Sequence, residues 1–487
     1  MASRARHALL AGVVLALPVP AMADDLRAAL LAAYASNPEL NAARENQRAL
    51  DEGVPIARAD GRPSLSVNAQ QTEFVEQGDT SLSFIVAKRQ LTVSGSLNVP
   101  VYSGGGVRNA IAGAEQRVAA GRNDLRGSES ALFSRVVAAY MDVILGEAAL
   151  RLNRAQVETL DTDLRGARDR FEIGDVTRTD VAQSQARLAL AQGQLRSSEA
   201  NLANARERYI QVVGRPPLDL APPPPLPGLP ASAEDALATA LDRNPDLLAA
   251  RERSRAARFD SNAAGASRLP QVSLFAEGNR SDYLGTLGVL GLGGAAAGAL
   301  PQVNTTANVG VRASIPLYQG GRPAAQVRQA QAREGAALET EVATERAIVA
   351  QVRSAWSSWR AANAIIASSQ VAVDAASLGL EGVRAENSVG NRTILDILNA
   401  EQELVNAQLQ LVTAQRNAYV AGFTLLAAMG RAEARDLGLD GGPLYDPDIH
   451  YRQARRTLWD WGSEPAPTVK SSRTVDTPAQ TGTIGAK

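Results

Sequence analysis

This chain of 487 residues is written twice. The stretch Phe171-Glu-Ile-Gly-Asp-Val-Thr-Arg-Thr-Asp-Val181 returns 216 residues later as Asn387-Ser-Val-Gly-Asn-Arg-Thr-Ile-Leu-Asp-Ile397. Gly174 pairs with Gly390, Thr177 with Thr393 and Asp180 with Asp396. At the same spacing, Val99-Pro-Val-Tyr-Ser-Gly-Gly105 matches Ile315-Pro-Leu-Tyr-Gln-Gly-Gly321. Earlier in each half, Ser36-Asn-Pro-Glu-Leu40 matches Arg243-Asn-Pro-Asp-Leu247 at a spacing of 207. The second half therefore carries nine extra residues, and they fall near the Gly/Ala-rich run 285–299. An insertion confined to one place marks a loop tip. A repeat this long limits the architecture before any element is read. It predicts one elongated body made of two like halves.

Long Ala/Arg/Glu/Gln-rich segments flank each copy of the first motif. Gly174 and Gly390 read as helix stops, and Thr177 and Thr393 as caps of the helix that follows. Each copy is then the tip of a helical hairpin. The outgoing helices run to Ile173 and Val389, roughly 70 residues and ~105 Å each. Gly113, Gly121, Gly127, Gly146 and Gly166 are expected to weaken or bend the first of them. The return helices carry a seven-residue repeat: Val181, Leu188, Leu195, Leu202 and Tyr209, then Ile397, Leu404, Leu411, Ala418 and Leu425. Small residues such as Ser184, Ala191, Ala407 and Ala414 stand three places on. That period means a left-handed supercoil against a neighbour. A two-helix stalk and a closed ring of helices both use such a seam.

Residues 64–77 and 88–101 read as strands. Leu91, Val93, Leu97 and Val99 alternate with Thr92, Ser94, Ser96 and Asn98, and the second half repeats the pattern up to Ile315. Their lengths approach the ~9–11 residues of a tilted membrane-spanning strand. Phe74, Phe84, Tyr102, Phe275, Tyr283 and Tyr318 stand near their ends, as interfacial aromatics do. Four strands cannot close a spanning barrel, since about eight are needed. If these strands lie in a membrane, several chains share one barrel. Pro100, Gly104 and Gly105, and again Pro316, Gly320 and Gly321, read as strand-to-helix corners. The glycines lack the Lys-Ser/Thr of a phosphate-binding loop. Residues 26–57 and 232–262 each read as a helix. Between the halves, 215–231 is a linker holding eight prolines.

Residues 1–23 read as a secretory signal, with Arg4 and Arg6 before an apolar run and Ala21-Met-Ala23 as the cleavage site. The repeats would then span 24–214 and 232–430, with a short-helical segment at 431–462 and a disordered tail at 463–487. No cysteine is present, so no disulfide, thiolate metal site or lipid-bearing Cys is available. Beyond the signal the single histidine is His450, and no metal-ligand spacing or nucleophile–base pair stands out. These features argue against an enzyme, a bound cofactor or a metal. A net charge of −1 gives no pull toward nucleic acid.

With the paired tips and paired corners in hand, residues 26–430 resemble the TolC family of outer-membrane channel proteins. The resemblance implies a membrane α+β fold. Three chains, four strands from each, would form a 12-stranded barrel in the outer membrane, continued by a long periplasmic helical barrel. It implies a homotrimer whose far end meets a periplasmic adaptor protein and an inner-membrane transporter. In the family the hairpin tips form a gate. Links between neighbouring hairpins hold it shut, and aspartates ring it. By position Asp396 resembles a ring aspartate, and Arg392 the link partner of Thr179 and Asp180. There are two departures. Asn399 stands where a double ring has a second Asp, and Asn387 where the closing network has a Tyr. They predict a weaker cation-binding ring and one fewer closing contact. By residue type alone, Asp180 and Asp396 are equally first-turn carboxylates offsetting a helix dipole, worth ~0.3–1 kcal/mol.

The Thr-Arg-Thr-Asp-Val-Ala-Gln form of the first tip looks like the type I secretion branch, which exports unfolded proteins. Multidrug or metal efflux is the alternative, and a surface coiled-coil stalk a further one. No nucleotide-binding motif is present, so the driving force must come from a partner.

Overall fold

A computed structural model describes residues 25–76, 87–287, 300–439, 444–462 and 465–483. The signal segment, Phe84 and most of the surplus run lie outside the described residues.

Each half opens on helices interrupted at an Asn-Pro pair. In the first, α1 (Leu26–Ser36) gives way to α2 (Pro38–Asp51) and then α3 (Gly53–Ala59). In the second, α6 (Ala233–Arg243) gives way to α7 (Pro245–Ala266). A single helix was predicted over each stretch, and the break has a local cause. Proline pushes the residue before it out of the helical region, and Asn37 and Asn244 are extended, at ψ 126° and 122°. Asn37 caps the helix behind it by accepting from the Glu39 and Leu40 amides, and Asn244 from those of Asp246 and Leu247. The same side chains donate to the Val212 and Ala428 carbonyls. Those carbonyls lie in the last turns of the return helices α5 (Arg178–Val213) and α9 (Ile394–Ala428). Each Asn-Pro pair thus serves the unpaired backbone groups of one helix start and one helix end.

The outgoing helices α4 (Gly106–Glu172) and α8 (Arg322–Ser388) each run 67 residues, about 100 Å. The glycines of α4 do not break it. A Cβ on Gly121 would lie 2.4 Å from the side chains of Gln47 and Leu50, and one on Gly146 3.2 Å from Leu202. These glycines let α2 and α5 approach the α4 backbone, and that packing outweighs a propensity cost of ~1 kcal/mol each. The predicted seam is buried along much of its length, through Ser184, Leu188, Ser198, Leu202, Ala205 and Tyr209 in α5 and Ala407, Ala414, Ala418 and Leu425 in α9.

The largest core lies at the waist, where α1 and the ends of α5 and α9 meet the middle of α4 around Phe133, Tyr140, Tyr209 and Phe423. The proline-rich linker crosses this level. Tyr140 and Tyr419 hydroxyls donate to its Ala221 and Pro224 carbonyls, and Leu226 packs on the core. A short helix, α10 (Pro447–Ala454), lies on α2. The tail, expected to be disordered, makes contacts where it is described. Lys470 pairs with Glu45 at 3.0 Å, and Arg206 donates to the Thr481 and Thr483 carbonyls.

At the other end β1 (Ser64–Glu73), β2 (Arg89–Tyr102), β3 (Gln271–Asp282) and β4 (Val303–Ser314) form one antiparallel sheet in chain order, closed by neither edge. The register sorts the side chains. Leu65, Leu97, Ala276 and Val309 share a row, as do Val67, Gly95, Gly278 and Ala307. The opposite face carries rows such as Ser66, Ser96, Glu277 and Asn308. Arg312 bridges to Glu277 at 3.1 Å on that polar face, and its guanidinium stands 4.7 Å over the Phe275 ring. Phe275 therefore packs inside the sheet on its polar face and is not an interfacial aromatic at a strand end. No helix among the described residues is long and apolar enough to cross a membrane.

Candidate functional site at the hairpin tips

The two tips are one structure built twice. Gly174 and Gly390 both take φ +80°, a left-handed conformation that costs other residues dearly. The next amides, of Asp175 and Asn391, reach back to the Arg170 and Glu386 carbonyls and close each outgoing helix. Thr177 and Thr393 then start the return helices with matching capping boxes. Asp180 Oδ2 accepts from the Thr177 amide at 2.8 Å and from its hydroxyl at 2.7 Å, while the Thr177 hydroxyl accepts from the Asp180 amide. Asp396 and Thr393 do the same at 2.9 and 2.8 Å. The backbone and hydroxyl of Thr393, with Arg392 nearby, hold the Asp396 carboxyl below the usual carboxylate range.

Both aspartates thus serve as first-turn caps. Each box engages Oδ2 and leaves Oδ1 with no hydrogen bond among the described residues. Arg392 donates through Nε to Glu386 at 2.7 Å, within its own tip, and not to Thr179 or Asp180 of the same chain. Asn387 braces the turn by donating to the Arg392 carbonyl at 2.7 Å. Asn399, on the second turn of α9, accepts from Arg187 of α5 at 2.6 Å.

That last contact joins the two hairpins of one chain, and a larger junction lies just above it. Leu160, Leu164, Leu188 and Leu398 form a buried cluster drawn from both hairpins. Beside it Arg384 of α8 pairs with Glu401 of α9 at 2.6 Å, and Asp163 of α4 lies within hydrogen-bonding reach of Glu401. Glu401 is 3% exposed. Asp163 Oδ2 and Glu401 Oε2 are buried and have no donor. One proton shared between them would satisfy both oxygens. Burial pushes both carboxyls up, and Arg384 opposes that rise. No signal for this carboxyl pair is legible in the sequence, because Asp163, Arg384 and Glu401 come from three helices and none belongs to a repeated motif.

The paired glycines lie between strand and helix in both halves. Gly104 and Gly105 take φ +62° and +83°, and Gly320 and Gly321 +60° and +80°, immediately ahead of α4 and α8. A Cβ on Gly104 would sit 2.7 Å from Leu269 and 2.9 Å from the Ala266 carbonyl, so the end of α7 packs against that corner. Pro100 lies at a register shift between β2 and β3, and Pro316 just beyond β4.

Residues 30–215 and 236–431 match the family model described as outer membrane efflux protein. The chain is 35% identical over 452 residues to the outer membrane efflux protein BepC of Brucella suis, covering 92% of this chain and 94% of that one. It is 29% identical over 433 residues to the outer membrane protein TolC of Escherichia coli, covering 85% and 84%. It is 30% identical over 324 residues to the alkaline protease secretion protein AprF of Pseudomonas aeruginosa, covering 64% of each. Its fold matches the outer membrane protein VceC of Vibrio cholerae with a TM-score of 0.71 at 22% identity, over 83% of this chain and 96% of that one. The stalk reading is set aside by these matches. The open sheet is one third of a barrel of a homotrimer, four strands from each of three chains. Its apolar face meets lipid and its polar face the lumen, and the helices extend into the periplasm toward an adaptor and an inner-membrane transporter. The chain belongs to the outer membrane efflux protein family, the outer-membrane channels of tripartite export systems, and is not an enzyme.

Proposed function

We propose that this channel is the exit duct of a type I secretion system and passes unfolded proteins. The observation that carries the reading is the first tip, Thr177-Arg-Thr-Asp180 followed by Val-Ala-Gln, in the form that resembles the secretion branch. Support comes from relatives named for protease secretion: AprF, and PrtF of Dickeya chrysanthemi, 26% identical over 454 residues. Efflux is the second reading, favoured by the name of BepC. The deciding experiment compares the culture supernatant of a strain lacking the gene with that of its parent. Loss of one or a few exported proteins supports secretion and identifies the cargo. An unchanged profile with new sensitivity to toxic compounds sinks secretion in favour of efflux.

The tips act as the gate of the duct in this reading. Arg392 spends Nε on Glu386, and its Nη groups have no partner among the described residues. Asp180 keeps Oδ1 for a donor from outside its own box. A link from Arg392 to Thr179 and Asp180 of the neighbouring subunit uses these unspent atoms. Asp396, repeated three times by symmetry, supplies a ring of carboxylates, with Asn399 leaving the ring single. In a planar bilayer Arg392→Ser is expected to raise conductance, and Asp396→Asn to reduce block by multivalent cations. Unaltered conductance and block in both variants would remove the tips from the gating role.

A further inference from the structure

A second membrane contact lies outside the barrel, in the segment that follows α10. Its position comes from how α10 is pinned. Asp448 pairs with Arg122 at 2.6 Å, and Tyr451 packs on Ala114 and Val118 with the Arg122 guanidinium 4.9 Å from its ring centre. Arg122, Val118 and Ala114 lie 16, 12 and 8 residues beyond Gly106, where α4 leaves the sheet. At 1.5 Å per residue these levels are about 24, 18 and 12 Å from the corner. Along its length α10 therefore climbs toward the membrane, and Ala454 stands about 10 Å from the corner level.

The chain then reads Arg455-Arg456-Thr-Leu-Trp-Asp-Trp461. Leu458, Trp459 and Trp461 are 72%, 73% and 85% exposed, and both arginines are exposed. Two of the four tryptophans in the chain stand here without cover. By Pro465 the backbone is again beside His450 and Gln453, and Lys470 pairs with Glu45. The stretch thus leaves the body beyond the membrane-facing end of α10. Tryptophan is enriched at membrane–water interfaces, where one side of the ring is apolar and the other wet. Arginine beside it meets lipid phosphate, and the two arginines outnumber the one carboxylate, Asp460. Tyr102, which ends β2, and Tyr318, just beyond β4, are both exposed and mark the same boundary.

We propose that Arg455–Trp461 docks on the periplasmic-facing leaflet of the outer membrane, with Trp459 and Trp461 in the headgroup layer and Arg455 and Arg456 on lipid phosphates. The contact extends the interfacial belt of the barrel to the outside of the periplasmic body and fixes how deep the trimer sits.

The other two tryptophans make the test clean. Trp356 and Trp359 of α8 are half-buried against the cluster of Ile348, Val352 and Leu425, more than 30 residues past the corner and about 50 Å from the membrane. Lipid cannot quench them. The full-length trimer is placed in nanodiscs of phosphatidylethanolamine and phosphatidylglycerol, with or without lipid brominated close to the headgroup. The expected result is loss of up to about half the tryptophan emission in brominated discs, absent from Trp459→Ser/Trp461→Ser trimers. Arg455→Glu/Arg456→Glu should reduce the quenching and make it insensitive to phosphatidylglycerol content. Equal emission in both discs overturns the proposal. If acrylamide then quenches these tryptophans freely, the segment faces water. If neither agent quenches them, a neighbouring subunit covers it.

Discussion

Helices α4 and α8 have the same length, the same place in the repeat and the same tip, yet their surroundings differ. Of 67 residues, α4 buries twenty-one and α8 six. The first is enclosed by the short helices of the waist, by α5, by α7 and by α9. The second leaves Val371 and Leu378, two turns apart on one face, exposed at 67% and 70%. Apolar side chains repeated along a helix face without cover mark an interface. In the homotrimer the next subunit is expected to supply that cover. Within one chain the repeat is therefore symmetric in backbone and asymmetric in burial.

The contrast can be broken at four points, the largest effect first. Phe133→Ala removes a fully buried ring of α4 that lies 6.1 Å from Tyr34. A loss of ~3–5 kcal/mol is expected, read as a lower unfolding midpoint of the detergent-solubilised protein. A near-neutral result would deny that the waist is the chain's own core. On α8, Leu378→Asp is expected to leave the helix content intact while abolishing the heat-modifiable trimer. The substitution forfeits about 1.5–3 kcal/mol of burial at each subunit interface. Persistence of the trimer would place Leu378 on a surface that assembly leaves open.

The third point is pH. Burial raises both Asp163 and Glu401 above their ordinary values of 3.8 and 4.5. For a carboxyl so raised, the favourable contribution is complete below the ordinary value and is lost as pH climbs through the raised one. The junction between the hairpins should loosen upward from about pH 4, seen as faster hydrogen exchange in the adjoining turns of α4 and α9. Asp163→Asn with Glu401→Gln should flatten that dependence. An unchanged pH profile in the double variant would exclude the pair as its source. The smallest effect concerns the caps. Thr177→Ala and Thr393→Ala should each cost ~1 kcal/mol and fray the first turn of α5 or α9 equally. Unequal fraying would mean that the neighbouring hairpin, not the box, stabilises one of the tips.

Much of this molecule is legible in its residues because it is local. A glycine that must take positive φ, a threonine three residues ahead of an aspartate, and a seven-residue alternation each act within a turn or two. The helices and the alternating strands are legible for that reason. The two Asn-Pro breaks were equally local, and the signal was present in the proline itself. The glycines of α4 weaken an isolated helix by propensity, yet Gly121 and Gly146 are set against side chains from α2 and α5, and the helix runs on through them.

The sequence by itself determined the duplication, the two hairpins and the alternating sheet, since repeated local patterns repeat local structure. Tertiary structure alone decided which polar side chains meet. Arg187 finds Asn399 across 212 positions, and Asp163 finds Glu401 beside Arg384. It also set α10 on a path that lifts two tryptophans toward the membrane. Such contacts depend on how helices of about 100 Å lie against one another. A turn of one helix relative to its neighbour would bring different residues together without altering any local pattern.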